Sequence, residues 1–156
     1  MRAWLGIPLL VMVGCGGGHK KAESSGSDIE NSPGIRCIED AKAERTPPTT
    51  APERMDLAHI LVKHAGVRDS KGVTRTREEA CLRAMEARKK LLGGGDWDDI
   101  YKQYSDSQGA TQGVLYDVTQ GSLEPAFAGA AFSLAVDELS YVVETPRGYH
   151  IIWRKK

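Results

Sequence analysis

Hydrophobic residues occur along this chain in short, separated runs, and the spacing within each run selects an element. Ala3 to Val13 is an apolar stretch of 11 residues behind the positive start Met1-Arg2. A long polar stretch rich in Gly, Ser, Pro and Thr follows. Leu57-Ala58-His59-Ile60-Leu61-Val62 then reads as a short buried strand. After a basic, turn-rich segment, Thr76 with Glu79 three residues later makes a capping box that opens a helix. Ala80, Ala84, Ala87 and Leu91 form its inward stripe, with Met85 and Leu92 beside it, and Gly93-Gly94-Gly95 ends it. Asp96 caps a second helix whose apolar face is Trp97, Ile100, Tyr101 and Tyr104. A strand is expected near Val114–Val118, then a turn at Gly121 and a helix bearing Phe127, Ala130, Ala131 and Leu134. Tyr141-Val142-Val143, a Pro146-Arg147-Gly148 turn and the strand Tyr149–Trp153 close the chain. Helices inserted between strands of one small sheet indicate an α+β domain.

The first apolar run is too short to cross a bilayer, which takes about 20 residues. Its length and positive flank suit the hydrophobic region of a secretory signal. It ends in Met12-Val13-Gly14-Cys15, which resembles a bacterial lipobox, with Met12 where leucine is usual. The expected organisation is a signal peptide over 1–14, a flexible tether over 15–54 that carries lipid on Cys15, and a folded domain over 55–156. An ordinary signal peptide, or a membrane-anchoring stub with an incidental cysteine, is the alternative. Gly16 after the cysteine resembles lipoproteins sorted to the outer membrane, facing the periplasm. The tether holds Thr46-Pro47-Pro48-Thr49-Thr50-Ala51-Pro52 and no aromatic residue. Such a segment buries too little apolar surface to offset its ordering entropy.

Charge narrows the partners. The chain of 156 residues has 21 basic and 21 acidic side chains, so no overall field draws it to nucleic acid. Cys37 and Cys81 remain once Cys15 is assigned to lipid. They are either a disulfide, in a compartment that permits one, or two unpaired thiols.

Six fragments lie in the order of one known family: His59–His64, Asp96–Ile100, Gln103–Asp106, Phe127–Leu134, Glu138–Ser140 and Gly148–Ile152. In these the chain resembles the parvulin-type peptidyl-prolyl cis/trans isomerases over nearly all of residues 57–154. The resemblance implies a four-stranded sheet wrapped by three to four helices, similar to the FK506-binding proteins. It also implies a monomer that acts on proline-containing unfolded or flexible polypeptides, with no metal and no cofactor.

Rotation about an X-Pro bond is slow because amide resonance sets a barrier of roughly 18–20 kcal/mol. A catalyst needs an apolar socket for the proline ring and a surface that favours the twisted amide. By resemblance the socket is Leu115, Leu123 and Phe127, and the candidate catalytic set is His59, Ser107, Thr145 and His150. Leu57, His59 and Leu61 share one strand face, and His150 shares a face of its own strand with Ile152. Ser107 stands where parvulins carry cysteine or aspartate. Where many have Gly-Asp-Leu-Gly, this chain reads Gly113-Val114-Leu115-Tyr116, so the pocket edge is reshaped or activity is reduced. Lys63 and Arg68 match phosphate-binding positions of the phosphorylation-directed branch, with Asp69 in place of a second arginine. That loop reads either as solvated surface or as a site for phosphorylated or acidic residues before proline. Two functions follow: an isomerase assisting the folding of exported proteins, or a non-catalytic module that holds extended peptides in the same cleft.

Overall fold

The computed structural model describes residues 32–107, 109 and 111–156. The candidate signal peptide, Cys15 and the first part of the expected tether lie outside the described residues.

Helix α1, Pro33–Ala41, occupies a segment expected to be tether. Ser32 caps it by accepting the Ile35 N–H at 3.2 Å, and Pro33 sits in the first turn, where its missing N–H costs nothing. Cys37, Ile38 and Ala41 are buried, and Cys37 is disulfide-bonded to Cys81 with Cα atoms 6.0 Å apart. The expectation of a tether as far as residue 54 is therefore corrected. A helix of 9 residues is marginal alone, and it is the covalent and apolar contact with the next helix that holds it. Beyond α1 the chain crosses to the far side of the domain. There a Cβ on Gly129 would stand 2.3 Å from the Arg45 carbonyl oxygen, so glycine is the residue that allows the crossing.

Strand β1, Met55–Val62, leads to α2, Arg77–Leu92, and α3, Trp97–Tyr104. The capping box forms as expected: Thr76 Oγ1 accepts the Glu79 N–H, and Glu79 Oε2 accepts the Thr76 N–H. Alanines 80, 84 and 87 with Cys81 face inward, and their small size lets α2 lie close on the sheet. Met85 and Leu92, expected beside that stripe, are instead 46% and 60% exposed. Asp96 caps α3, whose four expected aromatic and aliphatic residues are all buried.

Strand β2, Val114–Val118, a single 3₁₀ turn at Gln120–Ser122, and α4, Pro125–Phe132, come next. Leu134, expected on that helix, lies two residues past its end. A hairpin of β3, Val143–Thr145, and β4, Gly148–Arg154, closes the chain. All four strands pair antiparallel in the order β2-β1-β4-β3. Ala58, Ile60 and Val62 point to the face covered by α1, α2 and α3, with Tyr149 and Ile151. Leu57 and Ile152 point to the other, packed under α4 with Phe127, Ala131 and Phe132. Sheet register decides which polar side chains join that second face. His59 is opposite Ile152, Leu61 is opposite His150, and Val143 is opposite His150 on its other side. Directly opposed residues share a face, so both histidines and Thr145 emerge beneath α4.

Candidate active site

The two central strands bring His59 and His150 together, with their Nδ1 atoms 3.3 Å apart. Gly113 makes this arrangement at β1 feasible. Its carbonyl accepts the His59 N–H at 2.9 Å, and a Cβ there would fall 2.2 Å from the His59 carbonyl oxygen. Phe127, on α4, stands edge-on to both rings at centroid distances of 5.4 and 5.1 Å.

Both histidines are neutral near pH 7. Burial lowers His59 to about 4, and the charge of Arg147 adds to the effect. His150 is held well below the usual imidazole range by burial first, then by His59 and Arg147. The Thr145 hydroxyl oxygen is 2.8 Å from His150 Nε2 and 3.4 Å from the Gly148 carbonyl, and it accepts the Arg147 N–H at 3.1 Å. Thr145, His150 and His59 thus form one continuous hydrogen-bonded array, with a single hydrogen shared across each contact between neutral rings and hydroxyl.

These groups wall a cleft of about 490 Å³ with Leu115, Leu123 and Phe127. Leu115 is opposite Leu57 in the β1–β2 pairing and so lies on the same face as the histidines. The structure thus gathers six of the sequence-predicted residues around one cavity: His59, Thr145 and His150 on the polar side, Leu115, Leu123 and Phe127 on the apolar side. Ser107 is not among them. It lines a neighbouring pocket of about 630 Å³ with Lys63, Arg68 and Leu61. Its backbone is fixed there, the N–H donating to Ser105 Oγ and the carbonyl accepting the Tyr101 hydroxyl at 2.5 Å.

In that second pocket the Lys63 ammonium is engaged, donating to the Asp69 carbonyl at 2.9 Å. Asp106 accepts the Lys63 N–H at 2.8 Å and is ion-paired with Arg75. Two residues line both cavities, Glu124 and Arg147. Sequence reasoning singled out neither. Arg147 lies two positions after Thr145 in a turn, and only the β3–β4 register turns it toward the histidines. Among the described residues no three His, Cys, Asp or Glu side chains gather as a metal site.

Residues 59–156 match the Rotamase family, described as the PPIC-type PPIASE domain. The chain belongs to this family. The putative peptidyl-prolyl cis-trans isomerase dodo of Drosophila melanogaster is 38% identical over 112 residues, which are 67% of this chain and 68% of that protein. Foldase protein PrsA of Bacillus subtilis is 38% identical over 71 residues, 44% of this chain and 24% of its own length. The solved structure of peptidyl-prolyl isomerase ESS1 from Candida albicans superposes with a TM-score of 0.61 at 28% identity, covering 67% of this chain and 63% of that one. The four-stranded fold implied by the sequence is the fold found. The protein is a peptidyl-prolyl cis/trans isomerase, and the isomerase names of its relatives weigh against a module that only binds.

Proposed function

We propose that this isomerase assists the folding of exported proteins at a bacterial envelope, held by lipid on Cys15 at the outer membrane and facing the periplasm. It acts as a monomer on proline-containing segments of unfolded or flexible chains. The observation that carries the chemistry is an uncharged His59–His150–Thr145 array, with His150 and Thr145 buried and His59 partly so, that shares a cleft with Leu115, Leu123 and Phe127. A planar amide is more polar than a twisted one, because resonance places charge on its oxygen and nitrogen. Against the apolar side chains and neutral imidazoles the planar ground states are solvated less well than in water, and the twisted form loses less on entering. Leu115, Leu123 and Phe127 hold the proline ring, and the His59 imidazole is the polar group available to the rotating amide. The side chain before proline extends toward the second pocket, where Ser107, Lys63 and Arg68 lie.

The compartment rests on two features. The Met12-Val13-Gly14-Cys15 sequence suits lipidation, and a buried Cys37–Cys81 disulfide suits an oxidising environment. Two measurements test the proposal. Isomerisation of an X-Pro peptide by the purified chain should fall at least tenfold on His59→Ala, and equal rates would overturn the role given to the pair. The mass of membrane-extracted protein should lack residues 1–14 and carry added acyl groups. A soluble product with a free thiol at position 15 would end the anchoring proposal and leave the isomerase intact.

A further inference from the structure

We propose that Arg147, rather than the basic loop, sets which residue this isomerase accepts before proline, selecting acidic side chains over basic ones. The inference rests on the isomerase reading and specifies the substrate feature that the same site discriminates.

Arg147 lines both the proline cleft and the second pocket, whereas Lys63 and Arg68 line only the second. With the proline ring against Phe127, the preceding residue begins one Cα step of 3.8 Å away. The bond between the two crosses the boundary where Arg147 stands. Its backbone N–H donates to Thr145 Oγ1, the same hydroxyl that fixes His150. The turn that carries the guanidinium is thereby locked to the catalytic wall. Arg147 lines the same cleft as His59 and His150, and its charge helps to keep both rings neutral.

Several other cations nearby are already engaged: Lys63 by the Asp69 carbonyl, Arg75 by Asp106, and Arg77 by Glu144 in a bidentate pair. Arg68 is as open as Arg147, but it lines only the second pocket and does not reach the proline cleft. Arg147 is exposed, and no side-chain hydrogen bond or ion pair within the described residues occupies its guanidinium. Planar and bidentate, it suits a carboxylate that arrives with the substrate. Glu124 stands on the same boundary with the opposite sign, so the local sum decides the preference. With Asp106 neutralised by Arg75, Lys63, Arg68 and Arg147 face two carboxylates, Asp69 and Glu124. The pocket is left net positive.

The test uses the full chain in detergent and a matched pair of peptides with Glu-Pro or Lys-Pro at the centre. Both kcat/KM and affinity by fluorescence anisotropy are measured at low and high salt. Wild type should favour Glu-Pro by about five-fold at low salt, the scale of one partly screened contact, and by less as salt rises. Arg147→Ala should bring the ratio close to one, Arg147→Lys should restore most of it, and Glu124→Gln should raise it. Lys63→Ala with Arg68→Ala should leave a reduced preference. An unchanged ratio in Arg147→Ala, with both peptides slowed alike, would show that Arg147 acts on the peptide backbone and would overturn the proposal. Complete loss of the preference in the Lys63/Arg68 double variant would do the same. If wild type turned over neither peptide the isomerase reading would fail, yet the affinity ratio would still decide the role of Arg147.

Discussion

Reducing the Cys37–Cys81 bond should loosen the domain from the side opposite its active site. The bond closes a loop with a sequence separation of 44 residues. In the chain-entropy treatment such a loop restricts the unfolded ensemble by about 4 kcal/mol, and native disulfides commonly deliver roughly 2–4. The bond also pins α1, whose Ile38 and Ala41 enter the helical core with Cys37. A helix this short has no independent stability in water, so α1 should fray once the staple is cut. For a described unit of this size, each kcal/mol moves the midpoint by several degrees, so Tm should drop by about 10–20 °C. The assay is thermal unfolding followed by circular dichroism, with oxidised protein, reduced protein and a Cys37→Ala/Cys81→Ala double variant side by side. The cleft is built on the other face of the sheet, so isomerisation at 20 °C should change less than two-fold. A shift below 3 °C in both the reduced protein and the double variant would refute the account of α1 as part of the folded unit.

Three other outcomes follow from the same geometry. A chain cut to residues 55–156 keeps all of β1 but loses α1, the disulfide and the segment crossing Gly129. It should melt at least 10 °C below a chain cut at residue 32, and equal melting temperatures would return 32–54 to the status of tether. Phe127→Ala removes a buried ring that abuts both histidines, so stability should fall by about 3 kcal/mol and kcat/KM by more than tenfold, as read by urea unfolding and a peptide isomerisation assay. Between the unfolded histidine pKa of about 6.5 and the folded His59 value of about 4, the unfolded chain binds a proton that the folded chain refuses. The contribution of His59 is therefore fully present above pH 6.5. It declines by about 3 kcal/mol as pH falls to 4, and a His59→Gln variant should show a shallower decline in urea titrations over that window.

Much of the domain was legible because its signals are local. The Thr76–Glu79 box, the Asp96 cap and the Trp97/Ile100/Tyr101/Tyr104 face each lie within one element, and each forms as the spacing requires. The histidine pair was legible through strand parity together with family order, since register then carries both rings to one face. α1 was not legible as a helix. Its stripe of Gly34, Cys37, Ile38 and Ala41 is short and weakly apolar, and what stabilises it is a thiol 44 residues away. Arg147 escaped for a related reason. Nothing within its own turn marks it, and its importance comes from a cleft assembled by α4 and all four strands.

The departures at Val114 and Tyr116 raised the prospect of a reshaped pocket, and strand geometry limits what they do. Successive side chains of β2 point to opposite faces, and Leu115 is the one turned to the cleft. Val114 turns the other way and packs against the core beneath the helices. Tyr116 shares the parity of Val114 on an edge strand and is 67% exposed. Neither lines the cleft. Gly113 is the position where the backbone leaves no freedom, with φ of 79° and the His59 carbonyl where a Cβ would be, and this chain keeps it. The cleft wall therefore depends on Gly113 and Leu115, while the flanking positions tolerate apolar or aromatic side chains in place of an acid and a glycine. Val114→Asp should then cost stability, by placing a carboxylate toward the helical core, without raising isomerase activity. A variant with unchanged stability and faster turnover would show that the acid belongs to the cleft after all.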